Sequence, residues 1–250
     1  MLRGRTALIL LFLLDLVSRM ATGQWLNYPA AGIPRLRDGK PNLSAPTPRS
    51  PDGKPDLYGL WESDALRQGP FDMPPPIAVK PEDVILTPAG EALERGRKEE
   101  RFLNARCLPQ NLATRVRVLP FKILTLKGMV VILYELDTTY RQIFTDGREL
   151  AKDANLTWAE YSVATWDSDT LVVDTTGFNC AETILPGRRP HSNALHIIER
   201  FRRRDFGHLD IQFTIDDPKM YAKPWSFKEE FHLAPDTELL EYVRTRMNRT

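Results

Sequence analysis

Between Ala159 and Asn179 the chain reads AEYSVATWDSDTLVVDTTGFN, an alternation that fits a β-hairpin. Glu160, Ser162, Ala164 and Trp166 fall on one face of the first strand, with Tyr161, Val163 and Thr165 on the other. Asp167-Ser168-Asp169 has turn chemistry, Leu171-Val172-Val173 returns as a β-branched strand, and Gly177 ends it. The same period of two recurs on both sides of this hairpin. Phe121 to Leu126 turns through Lys127-Gly128 into Met129 to Leu136, and Tyr140 to Thr145 ends at the turn pair Asp146-Gly147. Ala194 to Arg204 and His208 to Asp216 flank Phe206-Gly207, and Trp225 to Leu233 and Leu239 to Val243 complete the set, with Leu57 to Trp61 as a short first strand. Eight or nine strands at hairpin spacing after the short first one predict a mainly β chain built as an antiparallel barrel or sandwich, not a parallel α/β sheet. Thr87 before Pro88 opens the one expected helix, about 88–102. Its apolar positions are few, so it reads as a surface helix whose charge run from Arg95 to Arg101 is solvated.

The N-terminus carries Arg3 and Arg5, an apolar run from Ala7 to Leu14 broken by Asp15, and small residues at Ala21-Thr22-Gly23. That is the layout of a secretory signal peptide over 1–23, and the apolar run falls short of the roughly 20 residues that span a bilayer. A periplasmic or secreted product is expected, with no integral membrane segment after cleavage. Residues 24–58 form an extended lead-in rich in proline and glycine, and 59–250 form one β domain. The lead-in repeats Asp-Gly-Lys-Pro at 38–41 and 52–55, which reads as turn chemistry, not as a domain repeat. A formal net charge of +1 argues against a nucleic-acid partner. Two cysteines, Cys107 and Cys180, suit an oxidising compartment and are expected to be oxidised together. With two Cys and four scattered His, no zinc-type spacing appears. Neither a metal nor a cofactor is expected.

Strand parity also places charge. Leu209, Ile211, Phe213 and Ile215 share one face of their strand. By the same rule Glu199 lies in phase with Leu195, Ile197 and Phe201. Glu229 lies in phase with Trp225, Phe227, Phe231 and Leu233, and Glu135 with Met129, Val131 and Leu133. A carboxylate on an apolar face must be paired or have its pKa raised. A raised pKa suits a general acid or base, whereas a structural ion pair with Arg141, in phase with Ile143, is the competing reading. His191, in the loop opening the 194–204 strand, is the histidine placed to reach a barrel mouth; His196 reads as external. No Gly-x-Ser-x-Gly elbow and no glycine-rich phosphate loop occur.

Seven segments, PDGKPDLYGLW (51–61), CLP (107–109), VVILYE (130–135), RQIFTDGRE (141–149), WDSDTLVVDTTGFN (166–179), PHSNALHIIERFRRRD (190–205) and TIDDPKMYAKPW (214–225), resemble a family of exported bacterial proteins without a settled activity. The resemblance implies a lipocalin-like β-barrel. It carries over Tyr134-Glu135, Arg141, Asp146-Gly147-Arg148, Trp166, Asp174, His191-Ser192 and Glu199-Arg200 as site positions. Many relatives end in a cysteine-containing tail able to pair with the CLP cysteine; this chain has Arg244-Thr245-Arg246 near that place, which makes Cys180 the alternative partner for Cys107 that the resemblance implies. Three functions follow as expectations. The first is a cofactor-independent lyase or isomerase acting on a small, partly aromatic or apolar molecule. Glu135, Glu199, Glu229 and His191 would be its catalytic residues, and Tyr134, Arg141, Asp146, Arg148, Trp166 and Asp174 its substrate contacts. The second is a non-catalytic carrier using the same pocket. The third is a cell-envelope interaction protein presenting the lead-in and helix. An oligomer is compatible with each.

Overall fold

The computed structural model describes residues 29–64, 77, 79–97, 111–151, 155–179, 185 and 189–242. Among them nine strands close into a barrel in sequence order: β1 (Gly59–Ser63), β2 (Phe121–Leu126), β3 (Met129–Tyr134), β4 (Thr139–Phe144), β5 (Tyr161–Asp167), β6 (Thr170–Thr176), β7 (His196–Arg203), β8 (His208–Asp216) and β9 (Trp225–Leu233). The last strand pairs back onto the first, Trp61 opposite Leu233, so no strand edge is left open. Residues 29–33 and 235–238 belong to a separate small unit, within which the Ala30 N–H donates to Asp236 Oδ1 at 2.9 Å.

The barrel is mixed, which corrects the purely antiparallel expectation. β4 and β5 run parallel, Ile143 opposite Ser162 and Phe144 opposite Val163. The cause is the connection 145–160: it returns from the far end of β4 to the end where β4 began, as any parallel pair requires. A second correction concerns 239–243, of which 239–242 are described. These add no ladder: Tyr242 makes an isolated bridge to Leu136, and its carbonyl accepts from Thr138 Oγ1 at 3.4 Å. The helix expected at 88–102 is α1 (Pro88–Arg97), capped by Thr87, whose Oγ1 accepts from the Gly90 N–H at 3.1 Å; residues 98–102 lie outside the described residues. A further helix, α2 (Leu112–Val118), has no counterpart in the alternation pattern.

Alternation fills the interior as the pleat demands. Leu209, Ile211, Phe213 and Ile215 of β8 are fully buried, as are Ile197 and Phe201 of β7 and Phe231 of β9. Phe213 stacks on Phe227 at 4.8 Å between centroids. Each such side chain stabilises the closed barrel by about 1.5–3 kcal/mol through burial. Both Asp-Gly-Lys-Pro copies fold as turns, the Lys40 and Lys54 carbonyls accepting from Leu36 and Ser50 N–H at 2.9 Å. Gly207 takes the lead-in at close range: a Cβ there would lie 2.9 Å from the Leu43 backbone, so only glycine fits. The Gly207 N–H donates to the Leu43 carbonyl at 2.7 Å.

The two barrel ends differ. At the end where β2, β4, β5, β7 and β9 begin, α2 leads directly into β2 and packs on β1. At the opposite end the buried Arg203 donates to the carbonyls of Asp56 at 2.6 Å and Tyr58 at 3.0 Å and lies 4.9 Å from the Trp61 ring. Burial lowers its pKa to about 10. Among the described residues no helix is long and apolar enough to cross a membrane.

Candidate functional site

β4 carries Arg141 inward between Thr139 and Ile143, and β7 carries Glu199 inward between Ile197 and Phe201. Both side chains are fully buried. Arg141 Nη1 donates to Glu199 Oε1 at 3.0 Å and Nη2 to Oε2 at 2.5 Å, a two-point pair of the strong kind. The rest of the guanidinium is also satisfied: Nε donates to Ser162 Oγ at 3.0 Å and Nη2 to Thr175 Oγ1 at 2.7 Å. Burial works against the cation, but the Glu199 carboxylate holds Arg141 above its usual range. The parity argument that put Glu199 inside with Arg141 as its partner thus corresponds to a real ion pair.

A second pair lies beyond it, towards α2. Asn111 caps α2 by accepting from the Thr114 N–H at 3.1 Å, which fixes the turn carrying Arg115 and Arg117. Arg115 Nη2 donates to Glu160 Oε1 at 3.0 Å and to the carbonyl of Trp158. Glu160 ends the 145–160 crossover in a left-handed conformation, φ 54°, immediately before β5. Burial pushes its carboxyl up, against the opposing pull of Arg115 and Arg141. The third pair joins Arg117 Nε to Glu229 Oε1 at 2.6 Å. Burial likewise pushes the Glu229 carboxyl up, with Arg117 pulling it down.

Tyr134 closes β3 among these groups. Its ring lies 5.2 Å from the Arg115 guanidinium and 6.4 Å from Phe121, and Phe121 meets Phe231 edge-on at 5.2 Å. Burial raises the phenol, and the charges that act on it are Arg141, Arg115, Glu199 and Glu160. Tyr134 is 1% exposed, yet its hydroxyl has no hydrogen-bond partner among the described residues. A buried hydroxyl left unbonded costs about 1–3 kcal/mol, so such a group calls for an explanation.

The remaining expected positions lie elsewhere. Glu135 is off the interior face: the buried residues of β3 are Val130, Ile132 and Tyr134, so the parity that put Glu135 inside is reversed by one residue. It sits in the turn after β3, where its carboxylate accepts from the Leu240 N–H at 3.3 Å. Partial burial still raises its pKa. His191 is buried in the loop before β7, edge-on to Phe178 at 6.3 Å. Its Nδ1 lies 3.1 Å from the Ser192 carbonyl. Asp174 faces outward and meets His196 Nε2 at 3.1 Å. Asp146 and Arg148 pair at 2.6 Å on the exposed turn after β4, at the end away from α2, and Trp166 lies at that end under Lys54, 5.9 Å from its ring. Cys107 and Cys180 lie outside the described residues. The structure therefore brings together Tyr134, Arg141 and Glu199, adds Arg115 and Glu160 to them, and holds Glu229 in a pair of its own with Arg117.

Among the described residues no group of three or more His, Cys, Asp or Glu is placed to hold a metal ion. No family model, no curated protein and no solved structure matches the chain.

Proposed function

We propose that the protein is an exported barrel that binds a small molecule at its α2-capped end, much as lipocalin-like vessels do. Export rests on Arg3, Arg5 and the apolar run before Ala21-Thr22-Gly23. The binding reading rests on one observation: the Tyr134 hydroxyl, buried among paired charges and aromatic rings, has no acceptor among the described residues. A bound molecule offering an oxygen or nitrogen lone pair satisfies it. Binding sites of this kind are mostly apolar, with a few fixed polar groups that orient the ligand.

An acid–base catalyst is the second reading. It is favoured by Glu229, whose carboxyl burial raises and whose side chain, 9% exposed, is the most accessible of the three paired glutamates. Native mass spectrometry of protein recovered from its exporting host tests the binding reading. Wild type should carry a small-molecule mass that Tyr134→Phe loses or holds more weakly; two empty proteins, or two equally loaded ones, would contradict it. Turnover of the released molecule, cut about 10²–10⁴-fold by Glu229→Gln, separates a catalyst from a carrier.

A further inference from the structure

We infer that the ligand of this site is a neutral molecule carrying a hydrogen-bond acceptor on an aromatic ring, an aryl carbonyl or aryl amide in chemical class. The inference rests on the binding site proposed above and adds the charge and shape of what fills it.

The charge follows from how the site's own charges are disposed. Two arginine–glutamate pairs act on Tyr134, Arg141 with Glu199 and Arg115 with Glu160, and a third buried pair, Arg117 with Glu229, likewise matches one cation to one anion. All six side chains are at most 9% exposed. An anionic ligand would need a cation to meet it, and each guanidinium is already held by a carboxylate at 2.5–3.0 Å. Drawing one away would strand a buried glutamate, the costly outcome for any buried pair. A cationic ligand faces the mirror-image problem. The next buried cation, Arg203, sits at the other end of the barrel and is bound by backbone carbonyls. A neutral molecule disturbs none of these pairs.

The shape follows from the neighbours of Tyr134. Phe121 and Phe231 stand edge to face, and Arg115 lies over the tyrosine ring. Flat π surfaces at offset or perpendicular angles favour a planar ring. The phenol itself, kept protonated by burial, offers a donor and so selects an acceptor.

Three probes of nearly equal size separate charge from shape: benzamide is neutral, benzoate anionic and benzamidine cationic at pH 7. Binding to the full-length protein is read by calorimetry or ligand-observed NMR, for wild type and Tyr134→Phe. Loss of an unpartnered hydroxyl should leave the melting temperature of Tyr134→Phe at or above wild type, so the variant remains a folded control. Benzamide should bind at least 10-fold more tightly than benzoate or benzamidine, and Tyr134→Phe should weaken it by about 5- to 30-fold, one hydrogen bond's worth. If benzoate or benzamidine binds as well as benzamide and loses affinity in Tyr134→Phe, neutrality is wrong while the site stands. If no probe binds, or binding ignores the Tyr134 change, both the ligand class and the site are wrong.

Discussion

At the scale of single residues, the three interior glutamates are chemically unlike despite a common partner type. Glu199 accepts two bonds from Arg141, and both are fully buried. Glu199→Gln leaves that guanidinium without its counter-charge and should cost about 3–5 kcal/mol, read by urea unfolding at pH 7. Glu229 differs because burial already favours its neutral form. A carboxyl whose folded pKa exceeds its unfolded value contributes stability that is complete below the unfolded pKa and is lost as pH rises through the folded one. Glu229→Gln, which cannot ionise, should therefore match wild type near pH 4 and be at least as stable at pH 7. A loss at pH 7 comparable with that of Glu199→Gln would show that the Arg117 pair outweighs burial. Of these residues, Glu199, Glu229 and Arg141 were legible from period-two parity. Glu135 was not, because β3 is apolar on both faces and parity alone does not choose between them: Met129, Val131 and Leu133, which share its phase, look outward, and Val130, Ile132 and Tyr134 fill the interior.

At the scale of elements, α2 does the most that the alternation pattern could not reveal. Seven residues are too few to display a helical period, and LATRVRV alternates well enough to pass for a strand. The signal that marks the helix, and that period-two reading passes over, is Asn111, an N-cap residue ahead of Leu112 and Ala113. Short helices gain little from propensity, so the cap matters. Asn111→Ala should lower stability by about 1 kcal/mol, with the barrel's far-ultraviolet circular dichroism retained; unchanged stability would mean that tertiary contacts alone hold α2. The parallel β4–β5 pair has a similar origin. Its two-residue register is set by the 145–160 crossover, and only the strands it joins are periodic. That crossover also delivers Glu160 to Arg115, so the same irregular stretch hid both the mixed topology and one of the ion pairs.

At the scale of the molecule, closure explains why charge can be kept inside at all. With β1 paired to β9, backbone groups are satisfied around the circumference, and side chains alone decide what the interior is. The interior is apolar along the inward face of β8 and becomes ionic towards α2, where Tyr134 offers a donor. The β class and the inward faces of β7, β8 and β9 were readable from the alternation of the strands. Which end holds the site was not, because pairing across the barrel joins residues far apart in sequence, such as Arg141 and Glu199. The central claim is that this end binds a molecule through Tyr134. Its most direct measurement is a high-resolution crystal structure of the protein purified from its native host. A non-protein acceptor atom about 2.6–2.8 Å from the Tyr134 hydroxyl, with all three arginine–glutamate pairs intact, is the predicted result. A Tyr134 hydroxyl bonded instead to a protein atom, with no molecule beside it, would contradict the account.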